Sequence, residues 1–203
     1  MDDVMTARLV LHPISPAEAE RVVAGRPGDG DRWAPGYPAE GDVSGAGRLL
    51  RACAETGDPR PFGTYEIRLR EDGCAVGGVD FLGPPDEDGG VAIGYSLVPS
   101  ARGRGYASEA LRALLRLARE LGVSRVRGDA DHGNTASQRV MAAAGMRLVA
   151  EDERVKYYEI SWDGPDRQED PSKDPSEDRP EGPSESLPEG PSEDRPEGRA
   201  LSR

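Results

Sequence analysis

The stretch from Val91 to Leu121 constrains this chain more than any other. Val91-Ala92-Ile93-Gly94-Tyr95-Ser96-Leu97 is apolar, rich in β-formers, and reads as a strand. Ala107, Ala110, Leu111, Leu114, Ala118 and Leu121 then recur at helical spacing, with Arg112, Arg116, Arg119 and Glu120 on the other side. Between the two lies the turn Arg102-Gly103-Arg104-Gly105. Its glycines let backbone N–H groups converge without β-carbons in the way. The first turn of the helix adds unpaired N–H groups and a positive dipole end, and Arg102 and Arg104 add two full charges. Strand, basic glycine turn and amphipathic helix together make a place for a phosphate.

Two common phosphate motifs do not fit. A dinucleotide fingerprint needs Gly or Ala three residues after its second glycine, and here that position is Ser108. A Walker loop needs Gly-Lys-Ser/Thr, which is absent. Before the turn the chain is mostly β. Thr6 to Pro13 reads as a first strand, and Ser15, Pro16 and Glu18 form the capping pattern of a helix. A Gly/Pro/Asp-rich loop from Gly25 to Gly41 carries Trp33 and Tyr37, which we expect to anchor it to the core rather than line a pocket. Asp42 or Ser44 is expected to start a second helix ending near Gly57. Phe62 to Arg70 and Cys74 to Leu82 flank Asp72-Gly73 as a hairpin, and an acidic turn from Pro84 to Gly90 leads into the strand before the phosphate turn. Beyond Gly122, residues 126–131 alternate as another strand. Asn134 caps a helix closed by Gly145, and Met146–Ala150 and Val155–Trp162 form a last hairpin.

Charge and composition divide the chain at about residue 162. From Asp163 onward it carries 13 acids against 6 bases, which leaves −5 of the total −12 on residues 1–162. An octapeptide beginning Pro175-Ser176-Glu177 recurs at Pro183 and Pro191 with too little apolar content for a repeat core. Residues 163–203 are therefore expected to be a disordered acidic tail, and 1–162 a single domain. An acidic domain excludes general nucleic-acid binding. Cys53 and Cys74 lack the company of metal ligands and read as reduced thiols, with one disulfide as the alternative. Neither a basic leader nor a membrane-length apolar run is present, so we expect a cytoplasmic protein without membrane partners, as monomer or homodimer.

Asn134-Thr135-Ala136-Ser137…Gly145, placed after the glycine turn, resembles the acyl-CoA-adjacent helix of the GNAT superfamily of N-acetyltransferases. Arg102 to Ala107 resembles that family's pyrophosphate loop. Together with Thr6–Pro13 and Ile93-Gly94-Tyr95, the likeness points to the branch of ribosomal-protein N-terminal acetyltransferases and covers roughly residues 6–160. It implies a mixed, mostly antiparallel α/β sheet of about seven strands with about four helices, whose fourth and fifth strands splay. It also implies acetyl-CoA as co-substrate, an amine acceptor, and no metal. Ser96, Leu97 and Val98 would bond pantetheine through their main chain. Leu97 or Val98 would supply an N–H to the oxyanion. Arg102, Gly103, Arg104, Gly105, Tyr106 and Ala107 would cradle the pyrophosphate, Asn134 would bind the pantetheine arm, and Ser137 would protonate the leaving thiol. Two positions depart from the family. Ala92 stands where many relatives carry a glutamate base, and Met141 where many carry a tyrosine acid. The base is left among Asp80, Glu66, Asp131 and His132, each with a plainer exposed or capping role, while Glu109 reads as a helix-dipole partner. The gap at Ala92 keeps open a second function, a non-catalytic acyl-CoA-binding or sensing module with an acidic interaction tail.

Overall fold

A computed structural model describes residues 2–162; the acidic repeats expected at 163–203 lie outside the described residues. The elements follow the order β1 (Val4–Met5), β2 (Leu9–Pro13), α1 (Pro16–Ala24), α2 (Glu40–Glu55), β3 (Thr64–Leu69), β4 (Ala75–Phe81), β5 (Gly90–Leu97), α3 (Tyr106–Glu120), β6 (Arg125–Asp131), α4 (Thr135–Ala143), β7 (Arg147–Glu151) and β8 (Val155–Ser161). A single 3₁₀ turn, Pro99–Ala101, joins β5 to the glycine turn. Among the described residues the strands form one sheet in the order β1-β2-β3-β4-β5-β6-β8-β7. All neighbours are antiparallel except β5 and β6.

The sheet has eight strands rather than about seven. Val4 and Met5 form a strand ahead of the expected Thr6–Pro13 and fold back onto Leu11 and Val10, while the expected strand itself starts only at Leu9, because Thr6 to Arg8 make the turn in which Thr6 N–H meets the Leu9 carbonyl. The strands expected as fourth and fifth are thus β5 and β6. The second helix begins earlier than expected, at Glu40, because the Asp42 carboxylate reaches back to the Ala39 N–H and sits in the first turn rather than ahead of it. Trp33 and Tyr37 anchor their loop: Trp33 bridges Ala75, the two rings meet edge to face 5.2 Å apart, and both pack on the α1–α2 pair. Cys53 and Cys74 are free and half-buried.

Helix α3 lies on one face of the sheet, and its fully buried Leu111 and Leu114 share an apolar core with Leu9, Leu11, Ile67 and Val79. Helices α1 and α2 cover the other face around a smaller cluster of Ile14, Ala19, Val22, Ala46 and Leu49. Between α2 and the sheet the filling is polar, and the buried Asp42, Thr64, Glu66 and Asp80 all lie there.

The capping pattern at α1 forms as read. Ser15 accepts from the Glu18 N–H, and the Glu18 carboxylate accepts from the Ser15 N–H at 2.8 Å. Burial alone would raise the Glu18 carboxyl, but the Ser15 bonds and neighbouring His12 outweigh it and hold the group down at about 2. A depressed carboxylate stabilises the fold above its unfolded value of 4.5 and loses that contribution as pH falls toward about 2. Glu18→Gln is expected to cost about 1 kcal/mol at pH 7 and to flatten the acid-induced loss across that window. Urea unfolding of both proteins at pH 7 and pH 3 measures it.

Candidate active site

Strands β5 and β6 run side by side for three residue pairs, Gly90–Arg125, Val91–Val126 and Ala92–Arg127, and then part. From Ile93 onward β5 keeps its antiparallel partner β4 on one edge and has no strand on the other among the described residues. An antiparallel ladder uses the main-chain groups of alternate residues. At its two ends Leu82 N–H donates to the Ala92 carbonyl and Val98 N–H to the Val76 carbonyl, so residues 92, 94, 96 and 98 turn their main chain toward β4. Tyr95 and Leu97 turn theirs into the gap.

That alternation revises three expected contacts. The Val98 N–H is already spent on β4, and Ser96 faces the same way, so neither offers its main chain to the gap. Leu97 does, and its carbonyl is taken by Arg102 Nε at 2.9 Å, which leaves the N–H as its contribution. Ser96 instead points its side chain toward α2, where its hydroxyl meets Asp42.

The gap opens into a cleft of about 510 Å³. The glycine turn forms one end: Gly103 and Gly105 have φ of +73° and +77°, the left-handed region that favours glycine. Gly105 is the N-cap of α3, so the first N–H groups of the helix face the cleft's end without helical partners. Helix α4 forms the far wall. Its cap Asn134 spends its side-chain oxygen on the Ser137 N–H at 3.1 Å. The Tyr95 hydroxyl crosses the gap to the Ser137 carbonyl at 3.0 Å and ties β5 to α4. Ser96, Leu97, Arg102, Gly103, Gly105, Tyr106, Ala107, Asn134 and Ser137 all line this cleft, whereas Val98 and Arg104 do not.

Four features escaped the sequence reading. Arg139 and Ser108 line the cleft, and since neither stands three or four residues from an expected site residue on its helix, no helical spacing pointed to them. Arg8 grips the glycine turn from the start of β2. It donates to the Arg104 carbonyl at 2.9 Å, stacks 4.7 Å over the Tyr106 ring and pairs with Glu109 at 2.7 Å. Glu109 also accepts from the Thr6 hydroxyl and the Arg8 N–H, so it clamps the β1–β2 turn to α3 rather than serving as a dipole partner alone.

The four candidate bases fall into two groups. Asp131 and His132 are exposed at the end of β6, where His132 Nε2 shares a 2.8 Å hydrogen bond with the Asp152 carbonyl. Glu66 and Asp80 are buried on the α2 face, paired with Arg68 and Arg48. Burial pushes the Asp80 carboxyl up to about 6, with Arg48 pulling it back and Asp42 adding to the rise. Arg48 also lines a smaller hollow of about 230 Å³ between α2 and the start of β3. Cys53 and Cys74 lie outside the cleft lining, and among the described residues no three His, Cys, Asp or Glu side chains are grouped to hold a metal. No described helix is long and apolar enough to cross a membrane.

Residues 8–147 match the profile of the acetyltransferase (GNAT) domain. The chain belongs to the GNAT acetyltransferase family. It is 34% identical over 99 residues to the uncharacterized N-acetyltransferase YjdG of Bacillus subtilis (strain 168), a match over 48% of this chain and 58% of that protein. This GNAT chain thus aligns with little more than half the length of that curated relative. The fold is shared with the ribosomal-protein-S5-alanine acetyltransferase of Vibrio fischeri, at TM-score 0.60 and 14% identity over 79% of this chain and 97% of that one. It is shared as well with RimL, a ribosomal L7/L12 alpha-N-protein acetyltransferase solved with coenzyme A, at TM-score 0.58 and 17% identity over 79% and 98%.

The buried pair makes its own prediction. Arg48→Ala removes the cation beside Asp80, so the Asp80 carboxyl is expected to titrate above about 6. Carboxyl carbon NMR across pH 4–8 follows it; an unmoved midpoint would show that the ion pair does not set its charge.

Proposed function

We propose that this protein is an acetyl-CoA-dependent N-acetyltransferase that moves an acetyl group to a primary amine by direct attack in a ternary complex. The acceptor class is a small cationic amine or a protein N-terminus, and the −5 charge on residues 1–162 favours a cation. One observation carries the reading. The free edge of β5, the glycine turn at the head of α3, and Asn134 with Ser137 on α4 converge on a single cleft.

The residues present fit an acyl-CoA in that cleft. Two left-handed glycines, the N-terminus of α3 and Arg102 suit a diphosphate. The Tyr95 and Leu97 main chain offers the strand-like edge that an amide-bearing arm can pair with. RimL was solved with coenzyme A in this same fold. Acetyl-CoA, when bound, supplies the acetyl group as an activated thioester. In this reading Arg102, Gly103, Gly105, Tyr106 and Ala107 hold the diphosphate, the Leu97 N–H stabilises negative charge on the acetyl oxygen, and Asn134 orients the arm. Ser137 gives a proton to the departing sulfur. Direct transfer asks nothing of a cysteine, and neither Cys53 nor Cys74 lines the cleft.

Calorimetric titration with acetyl-CoA, followed in the same sample by thiol release against small amines and peptide N-termini, tests the proposal. Binding with amine-dependent release is expected; absence of binding sinks it. Gly105→Glu is expected to abolish acetyl-CoA binding, because a side chain is strained at φ +77° and the new charge repels phosphate. Ser137→Ala is expected to lower kcat roughly 100-fold with little change in acetyl-CoA affinity. Equal turnover would remove Ser137 from the chemistry.

A further inference from the structure

The Ala92 position leaves the reaction without the base that many relatives carry, and the α2 face offers a different one. Ser96 lines the cleft and is half-buried, and its hydroxyl donates to Asp42 Oδ1 at 2.5 Å across 54 residues of sequence. Asp42 is 4% exposed, in the first turn of α2. Its seat is built for it. A β-carbon on Gly78, the β4 partner of Ser96, would stand 2.9 Å from Asp42 Oδ1. The second Asp42 oxygen accepts from the Ala39 N–H at 2.8 Å, which fixes the carboxylate toward Ser96.

The surroundings decide which buried carboxylate is available. Glu66 on β3, Asp80 on β4 and Tyr37 from the loop before α2 face the same polar layer. Glu66 is engaged by Arg68 and Asp80 by Arg48. Asp42 has no cation beside it among the described residues, and its partners are the serine hydroxyl and one amide.

Building on the acetyltransferase reading above, we propose that Asp42, acting through the Ser96 hydroxyl, takes up the proton that the acceptor amine loses during acetyl transfer. As the amine nitrogen bonds to the acetyl carbon, one N–H bond breaks and its electron pair stays on nitrogen. That proton goes to Ser96 Oγ while the Ser96 hydroxyl proton passes to Asp42 Oδ1. The carbon–sulfur bond breaks with its pair on sulfur, which is protonated from the Ser137 side of the cleft. Asp42 returns its proton to solvent between turnovers. Ser96 is the catalytic residue of this pair, and Asp42 is the positioning residue behind it. Burial raises the Asp42 carboxyl above the ordinary range and Glu66 adds to the rise, while the Ser96 and Ala39 bonds oppose it.

The test uses the full chain with acetyl-CoA and two probes, spermidine and a mixture of peptides with free N-termini. Asp42→Asn keeps the size of the side chain and an oxygen for the Ala39 N–H. Asp42→Asn and Ser96→Ala are each expected to lower kcat about 100-fold, with acetyl-CoA affinity by calorimetry unchanged. The double variant is expected to fall no further than either single one, as for groups that act as a unit. The unaltered protein should lose kcat/KM toward acid as Asp42 protonates, and Asp42→Asn should lose that limb. A purely structural Asp42 would lower the melting temperature and leave the pH profile in place, which overturns the proposal. Full turnover in Ser96→Ala also overturns it. An unaltered chain that neither binds acetyl-CoA nor releases thiol overturns the acetyltransferase reading, and this one with it.

Discussion

The site depends on where the ladder between β5 and β6 stops. Three residue pairs of parallel contact hold the two halves of the sheet together, and beyond Ala92 and Arg127 they separate. Main-chain N–H and C=O groups are obligatory hydrogen-bonding groups, so a strand that loses its neighbour must find other partners. The protein answers part of that demand itself, by turning Arg102 back onto the Leu97 carbonyl. The Leu97 N–H and both main-chain groups of Tyr95 remain directed into the opening, so this edge of β5 still offers donors and an acceptor. Helices α3 and α4 then stand on either side because the chain leaves β5 into one and β6 into the other.

The two faces of the sheet follow different chemistry. The α3 face is packed with leucine, isoleucine and valine, the ordinary way of stabilising a domain. The α2 face buries Asp42, Glu66 and Asp80, groups that cost free energy to remove from water unless each is paired or hydrogen-bonded. Arginines satisfy two of them, and a serine and a main-chain amide satisfy the third. An apolar filling would serve stability equally well or better. The polar layer lies directly beneath the β5 residues whose other edge opens on the cleft, and it places carboxylates on the side of the sheet away from the glycine turn.

Local signals in the sequence were sufficient for much of this. The strand–turn–helix unit, the Ser15 and Asn134 caps and the Asp72-Gly73 hairpin each rest on neighbours within a few residues, and each forms as read. What the sequence concealed depends on distant partners. Alternation along β5 told which side chains share a face, but not which edge a given N–H meets; that is fixed by register with β4, which turns the main chain of Ser96 and Val98 toward β4 rather than into the gap. Asp42 looked like a helix start because its partner Ser96 is 54 residues away. Glu109 looked like a dipole partner because Arg8 is 101 residues away. Val4 and Met5 are too few to show a period, and only the fold-back onto β2 makes them a strand.

The Tyr95 hydroxyl bond to the Ser137 carbonyl deserves to be read as a spacer. A phenol ring is stiff, with two rotatable bonds, and here it is fixed at the strand end and at the helix end. The separation of the two walls is therefore set by the length of one side chain rather than by whatever enters between them. An opening held at a fixed width in this way is preorganised: a guest meets walls already apart and does not have to drive two strands asunder. Exchanging this one residue for a shorter or longer aromatic-free side chain would change the gauge of the cleft while leaving the glycine turn and the buried carboxylates where they are.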